Sequence, residues 1–404
     1  MEIVTRFEFS DLFATRAVEE WGAAMEHPKA GNGPLPIPFT YGFPDPGSFP
    51  IQDLIQATAK VMHREGRQAL QYGQGRGFDG LLDVVVDRLV RFEGIETTRQ
   101  NLIITNGSLH ALDILCHVFI NPGETVIIEA PCFHGSIDVM KRLQGKPVSV
   151  SLDDDGMRMD ELAEKLSLLA KEGRKPKFIY TIPNFHNPGG VTMTLARRHQ
   201  LLNLAAEYKI PIIEDDAYRD LYYEGEPLPS LYSLDKSAMV VRMGTFAKVL
   251  AAGMRLGWAL GPEKVISKML LFRSDTGTNQ FGSRIAAEYC REHLDDHIAD
   301  LVRIYRGKRD AMLGALEEHV GSLARWTRPQ GGFYVWLELA DKVDPDKLQQ
   351  YAKQEGVSYL RGDICFVDGR GKNAMRLSFS YPSVDEIVEG VRRLGRAIRA
   401  ATTA

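Results

Sequence analysis

Residues 244–258 read GTFAKVLAAGMRLGW, and Lys248 stands there among Phe246, Ala247, Val249, Leu250, Ala251 and Ala252. A lysine in apolar surroundings loses part of its proton affinity, because desolvation disfavours the ammonium. The neutral amine is then a nucleophile that can attack a carbonyl and form a Schiff base. Thr245 and Arg255 add a hydroxyl and a guanidinium, the kinds of donor that hold a phosphate. The segment therefore suits an aldehyde that carries a phosphate.

Pyridoxal 5'-phosphate is such an aldehyde, and four further stretches offer what it needs. In TNGSLHALD (105–113) a strand runs through Gly107 and Ser108 into a helix, whose free N–H groups and positive dipole end make an anion site. In IIEDDAY an aspartate at a strand end, Asp215 or its neighbour Asp216, can keep a pyridine nitrogen protonated and the ring electron-poor. Tyr218 follows with a phenol for the ring oxygen. In PNFHNPGG (183–190) the amide of Asn187 can donate to that same oxygen. In EAPCFHG (129–135) Phe133 offers a face on which the ring can stack. Each stretch has an ordinary explanation when taken singly, as a cap, an ion pair, a loop or a core aromatic. Their common order along the chain is what ties them to one ligand.

These residues need a frame that gathers strand ends. LIIT (102–105), TVIIEAP (125–131), KFIYTIP (177–183), PIIEDDAY (211–218) and AMVVRMG (238–244) are short β-branched runs, and segments of helical spacing alternate with them. The pattern predicts a mostly parallel sheet covered on both faces by helices, with ligand chemistry beyond the carboxyl ends of the strands. Residues 31–50 are too rich in proline and glycine for regular structure and read as an arm. Past about residue 290 a long charged helix, roughly 294–319, leads to GGFYVWLEL (331–339) and NAMRLSFS (373–380), a smaller α+β unit.

The bulk composition sets limits. The chain has 404 residues, 44% hydrophobic and 25% charged, which is the composition of a globular protein large enough for two domains. A net charge of −4 gives no reason to expect nucleic acid or an anionic membrane as partner. No apolar run approaches the ~20 residues that span a bilayer, and the N-terminus lacks the pattern of a signal peptide. The four cysteines (Cys116, Cys132, Cys290, Cys365) show no metal-like spacing, so they read as reduced thiols and no metal site is expected. Cytoplasmic location is the expectation.

Across nearly its whole length the chain resembles the fold-type I pyridoxal-phosphate enzymes of the aspartate aminotransferase superfamily. Within them it is similar to the class I/II branch of 2-aminoadipate (LysN-type) and multisubstrate aminotransferases, which also supplies the catalytic-like half of MocR regulators. FTYGFPDPGSFP, QYGQGRG, HNPGG and RLSFS carry the likeness, most specifically EDDAYRDLYY and GTFAKVLAAGMRLGW.

The resemblance implies an aspartate-aminotransferase-like α/β fold, its large domain built on a mostly parallel seven-stranded sheet sandwiched by helices, with a smaller α+β domain. It implies an arm over residues 1–48 that contributes to the small domain, a large cofactor domain over 49–290, and a small domain over 291–404. Lys248 would carry the Schiff base and relay the proton. Asp215 would hold the ring nitrogen, Asn187 and Tyr218 the ring oxygen, and Phe133 would stack on the ring. Ser108, the backbone of Leu109, Thr245 and Arg255 would hold the phosphate. Tyr72 would reach the cofactor of a neighbouring subunit, which implies a homodimer with shared sites. Arg376 would grip the substrate α-carboxylate by two prongs, near Asn187, Gly42 and Tyr41.

Some positions depart from the pattern. Leu109 stands where many relatives have glutamine, Phe133 where tyrosine is common, Gly190 for a frequent threonine, Ala247 for a frequent serine, and Tyr41 for a second glycine beside Gly42. His110 and His134 flank the cofactor site, as packing or hydrogen-bonding residues or as extra acid/base groups. Arg16 and Trp21 are candidates to line the substrate pocket. The implied reaction is transamination between an L-amino acid, aromatic or dicarboxylic, and a 2-oxo acid in a ping-pong cycle. Elimination, cyclisation or decarboxylation on the same constellation is the alternative. A cofactor-binding sensor is more remote, because its winged helix finds no room ahead of the pattern.

Overall fold

The computed structural model describes residues 12–14, 17, 36–275 and 277–402. Arg16 and Trp21 lie outside them. The strands are β1 (Ile37–Pro38), β2 (Leu102–Thr105), β3 (Thr125–Ala130), β4 (Lys146–Asp153), β5 (Gly156–Met157), β6 (Ile179–Thr181), β7 (Ile212–Asp215), β8 (Val240–Thr245), β9 (Gly257–Leu260), β10 (Ala324–Trp326), β11 (Tyr334–Leu339), β12 (Val357–Ser358), β13 (Leu360–Arg361) and β14 (Ala374–Ser378). The helices are α1 (Ile51–Ala69), α2 (Asp79–Glu93), α3 (Ser108–Phe119), α4 (His134–Arg142), α5 (Met159–Lys171), α6 (Leu195–Tyr208), α7 (Leu231–Leu234), α8 (Glu263–Leu271), α9 (Gln280–His319), α10 (Pro345–Gln354) and α11 (Val384–Ala400).

The large sheet runs β2-β9-β8-β7-β6-β3-β4-β5. Pairings from β8 through β4 are parallel, β9 is antiparallel to both its neighbours, and the two-residue β5 adds an eighth, antiparallel edge to the expected seven strands. Side chains alternate between two buried faces. Ile213, Val241 and Ile128 face α3, α4 and α8, while Ile212, Val240 and Ile127 face α5 and α6. That is why these strands read as continuous apolar runs rather than alternating ones. β4 and β9 were not anticipated. β4 begins on Lys146–Pro147 and is only partly buried, and β9 begins on the last two residues of the motif around Lys248.

A second sheet, β10-β11-β14-β13, is antiparallel throughout. The stretch 31–50, expected to be irregular, contributes β1, which pairs with β12. The long helix starts at Gln280 rather than near residue 294. Asn279 caps it by accepting from the N–H of Gly282, and its first turns bury Gly282, Ser283, Ile285 and Ala286. Gly282 leaves room for that cap, since a Cβ there would lie 2.5 Å from the Asn279 side-chain nitrogen. α9 therefore passes without interruption through residues 290 and 291. Among the described residues no helix is long and apolar enough to cross a membrane.

Gly257 shows how tightly β9 meets the start of α3. A Cβ there would lie 2.6 Å from the carbonyl carbon of Gly107 and 2.7 Å from the nitrogen of Ser108, both backbone atoms. Gly257→Ala is expected to cost about 1–3 kcal/mol, the usual range for overpacking. It should show as a lower thermal midpoint and weaker phosphate binding, and an unchanged midpoint would count against this packing.

Candidate active site

Beyond the carboxyl ends of β2, β3, β6, β7 and β8 the chain encloses a cavity. It is lined by Gly107, Ser108, Leu109, Phe133, Asn187, Asp215, Tyr218, Thr245, Lys248 and Arg255, with Gly42 from the arm and Arg376 and Tyr334 from the second sheet. All but two of the expected site residues are thus brought to one place.

Lys248 is half-buried, and its ammonium donates to the carbonyl of Gly42 at 2.8 Å. Burial, then the charges of Arg376 and Arg255, push its pKa down to about 8 against a pull from Asp215. Asp215 ends β7. Its Oδ2 accepts from the Tyr180 hydroxyl at 2.7 Å, and Tyr180 accepts from Ser136 at 2.7 Å. Oδ1 is buried with no partner. Burial raises this carboxyl to about 6 although Tyr180 opposes the shift. The choice between Asp215 and Asp216 is made by strand alternation. Asp216 points away from the cavity, to Arg242 at 2.8 Å and Asn184 at 2.7 Å.

Arg376, in β14, donates from Nη1 to Asn187 Oδ1 at 2.9 Å and from Nη2 to the carbonyl of Thr40 at 2.7 Å. The oxygen of Asn187 is thereby engaged, which leaves its NH₂ to donate. Behind it Glu129 accepts from Thr181 and from the N–H of Ile182, and lies 3.1 Å from His186, whose Nδ1 accepts from the N–H of Gly189. That network fixes the HNPGG turn.

Ser108 opens α3 with no side-chain cap, so the first N–H groups of the helix, including that of Leu109, are free for an anion. Arg255 donates to the carbonyls of Asn106 and Ala252 at 3.2 and 3.3 Å and has no acid partner among the described residues. His110 accepts from the N–H of Asn106 at 3.1 Å, so it acts here as a hydrogen-bonding residue.

One expectation is revised, and two other tyrosines have surroundings of their own. Tyr41 does not line the cavity. It is buried and stacked on Phe43 at 5.0 Å, and Phe43 is the ring that reaches the space. Tyr72 is 85% exposed and lies with Gln280 and Arg284 in a separate surface hollow. The Tyr218 hydroxyl is engaged with that of Tyr334 at 2.9 Å. Tyr334 itself went unnoticed, since nothing distinguishes it from the other aromatics of GGFYVWLEL. It also explains Gly42: a Cβ there would run into the Tyr334 phenol oxygen.

The arrangement fits pyridoxal phosphate on observations independent of any likeness. A buried carboxylate oxygen without a partner awaits a cationic N–H, the lysine pKa is pushed down to about 8, and a guanidinium with no acid partner among the described residues adjoins a free helix N-terminus.

Comparison with known proteins agrees with this chemistry. The family model for aminotransferase class I and II matches residues 37–394. The aromatic-amino-acid aminotransferase 1 of Thermococcus litoralis is 39% identical over 361 residues, 89% of this chain and 87% of that protein. The kynurenine aminotransferase of Pyrococcus horikoshii, solved in complex with PMP, superposes with a TM-score of 0.91 at 35% identity, covering 98% of both chains. LysN, the alpha-aminoadipate aminotransferase of Thermus thermophilus, solved with N-(5'-phosphopyridoxyl)-L-leucine, gives 0.89 at 31% identity, covering 98% of this chain and 99% of the other.

Proposed function

The chain belongs to the class I and II aminotransferases and is a pyridoxal-phosphate-dependent transaminase; from that premise we propose that Lys248 is its catalytic base and Arg376 its carboxylate clamp. Pyridoxal phosphate, when bound, supplies an electron sink for the pair released at substrate Cα. The rest is the work of the chain's own residues. Asp215 holds a proton at the ring nitrogen through Oδ1. Asn187 and Tyr218 donate to the ring oxygen, and Phe133 covers one face. Ser108, Leu109, Thr245 and Arg255 hold the phosphate. Lys248, neutral for part of the time at pH 7, takes up and returns the Cα proton.

The observation that carries this reading is Lys248 in the same cavity as Asp215, with no carboxylate pairing the lysine among the described residues. The substrates are an L-amino acid and a 2-oxo acid, with aromatic or dicarboxylic donors favoured, in keeping with the relatives. The division into an arm (1–48), a large unit (49–290) and a small unit (291–404) belongs to the same reading, with α9 carrying the chain across the second limit. A homodimer in the cytoplasm completes it, with Tyr72 facing the partner. Support comes from the exposed apolar side chains Ile51, Ile55, Leu70, Tyr72, Leu271 and Phe272.

The test is a screen of amino donors with 2-oxoglutarate and pyruvate, followed by absorbance. Expected are a visible band on adding pyridoxal phosphate and its loss with a productive donor. A chain that stays colourless overturns the proposal.

A pH dependence follows from Lys248. Below pH 8 the amine is mostly protonated, and above it mostly neutral and nucleophilic. Covalent loading of the cofactor-free protein should therefore speed up about tenfold per pH unit as pH approaches 8, then level off. Stopped-flow absorbance measures it, and a rate still climbing at pH 10 would mean an ordinary lysine.

A further inference from the structure

We propose that His134 is a second binding contact for the substrate carboxylate gripped by Arg376, donating a hydrogen bond from Nε2. The inference rests on the reading of Arg376 as the clamp and adds a residue to it.

His134 opens α4 directly after Phe133, and both line the cavity with Arg376. Phe133 brings no polar atom to this wall. The imidazole makes an edge contact with the Phe133 ring, centroids 5.1 Å apart, and has no hydrogen-bond partner among the described residues. Its Nδ1 is fully buried and unpaired. A proton on that nitrogen would create an orphaned buried N–H, a costlier defect than an orphaned lone pair. The proton therefore sits on Nε2, the nitrogen not sealed off. Burial, and secondly the charge of Arg376, push the pKa down to about 4, so at neutral pH the ring is uncharged with one N–H to give.

The clamp has use for such a donor. Nη1 and Nη2 of Arg376 each already serve an internal acceptor, and Nε is buried without a partner. A carboxylate has about four acceptor positions, and two guanidinium N–H groups leave part of that capacity unmet. His134 stands within electrostatic range of the same guanidinium and carries an otherwise unused N–H.

The experiment uses the holoenzyme and two probe ligands. One is the 2-methyl analogue of the preferred amino donor, which has no Cα proton; the other is the amine left when that donor loses its carboxylate. His134→Leu should raise the Kd of the 2-methyl amino acid about tenfold, the scale of one hydrogen bond to a charged group. It should leave the amine unchanged and raise KM with kcat within about twofold. His134→Gln keeps an N–H donor and should recover most of the affinity. An unchanged Kd, an equal loss for the amine, or a reordering of donors by side chain would overturn the proposal. Arg376→Lys, measured alongside, should weaken the carboxylate ligand at least as much. If it does not, the clamp reading fails and His134 with it; if only Arg376 matters, the inference about His134 fails alone.

Discussion

Lys248→Ala will give a folded protein that has lost transamination by about 10⁴-fold or more in kcat, the upper end of what a positioned acid–base group supplies. The variant removes the amine that holds the cofactor covalently and moves the Cα proton, while the phosphate and ring contacts remain. Cofactor should still bind, but borohydride should no longer fix it to the chain. Folding is expected to survive for an electrostatic reason. The native pKa of Lys248, about 8, lies below its ordinary 10.5, so the folded state disfavours a proton that the unfolded chain binds. That cost is complete below pH 8 and fades between 8 and 10.5. Removing the amine lifts it, against a cavity penalty of opposite sign. The cofactor-free variant should therefore melt no lower at pH 7 than wild type by more than a few degrees. Residual activity within a hundredfold of wild type would exclude Lys248 as the base.

Asp215→Asn should cost about 10³-fold in kcat, the scale of losing one preorganised electrostatic partner. The amide is nearly isosteric, and its oxygen can still accept from Tyr180, so the fold has little reason to change. What disappears is the negative charge at Oδ1, and with it the hold on a ring proton. Asp216→Asn is the matched control. Asp216 is paired with buried Arg242 at 2.8 Å and lies outside the cavity. Its loss should appear as instability of about 3–5 kcal/mol, with cofactor absorbance intact in the protein that remains folded. If Asp215→Asn keeps more than a tenth of wild-type kcat, or if the two variants exchange phenotypes, the assignment is wrong.

The parts legible in the sequence were those whose neighbours in space are also neighbours in the chain. Lys248 announced itself through its apolar flanks, and Gly107–Ser108 through the strand before and the helix after. The strand ends carrying Asp215 and Asn187 followed from apolar runs closing on polar residues. Asp215 and Asp216 could not be separated, because their difference lies in the pleat of β7 and in Arg242 on the adjacent strand. Tyr334 meets Tyr218 across 116 positions of sequence, and no local pattern encodes such a contact. Tyr41 and Phe43 lie in an arm without periodicity, where nothing says which ring faces inward. The start of α9 rests on the Asn279 cap and on Gly282, which makes room for it, a contact that apolar spacing does not signal.

The arm segment 40–43 has a consequence for selection among ligands. With the cavity free, Lys248 and Arg376 are each occupied by a backbone carbonyl, of Gly42 and of Thr40. These carbonyls are built-in competitors at a fixed local concentration. The cofactor aldehyde has to displace the Gly42 carbonyl from Lys248, and the substrate carboxylate has to displace that of Thr40 from Arg376, each internal bond being worth about 1 kcal/mol net. The two exchanges fall to different molecules, so neighbouring residues of one arm set separate thresholds for loading the cofactor and for admitting the substrate.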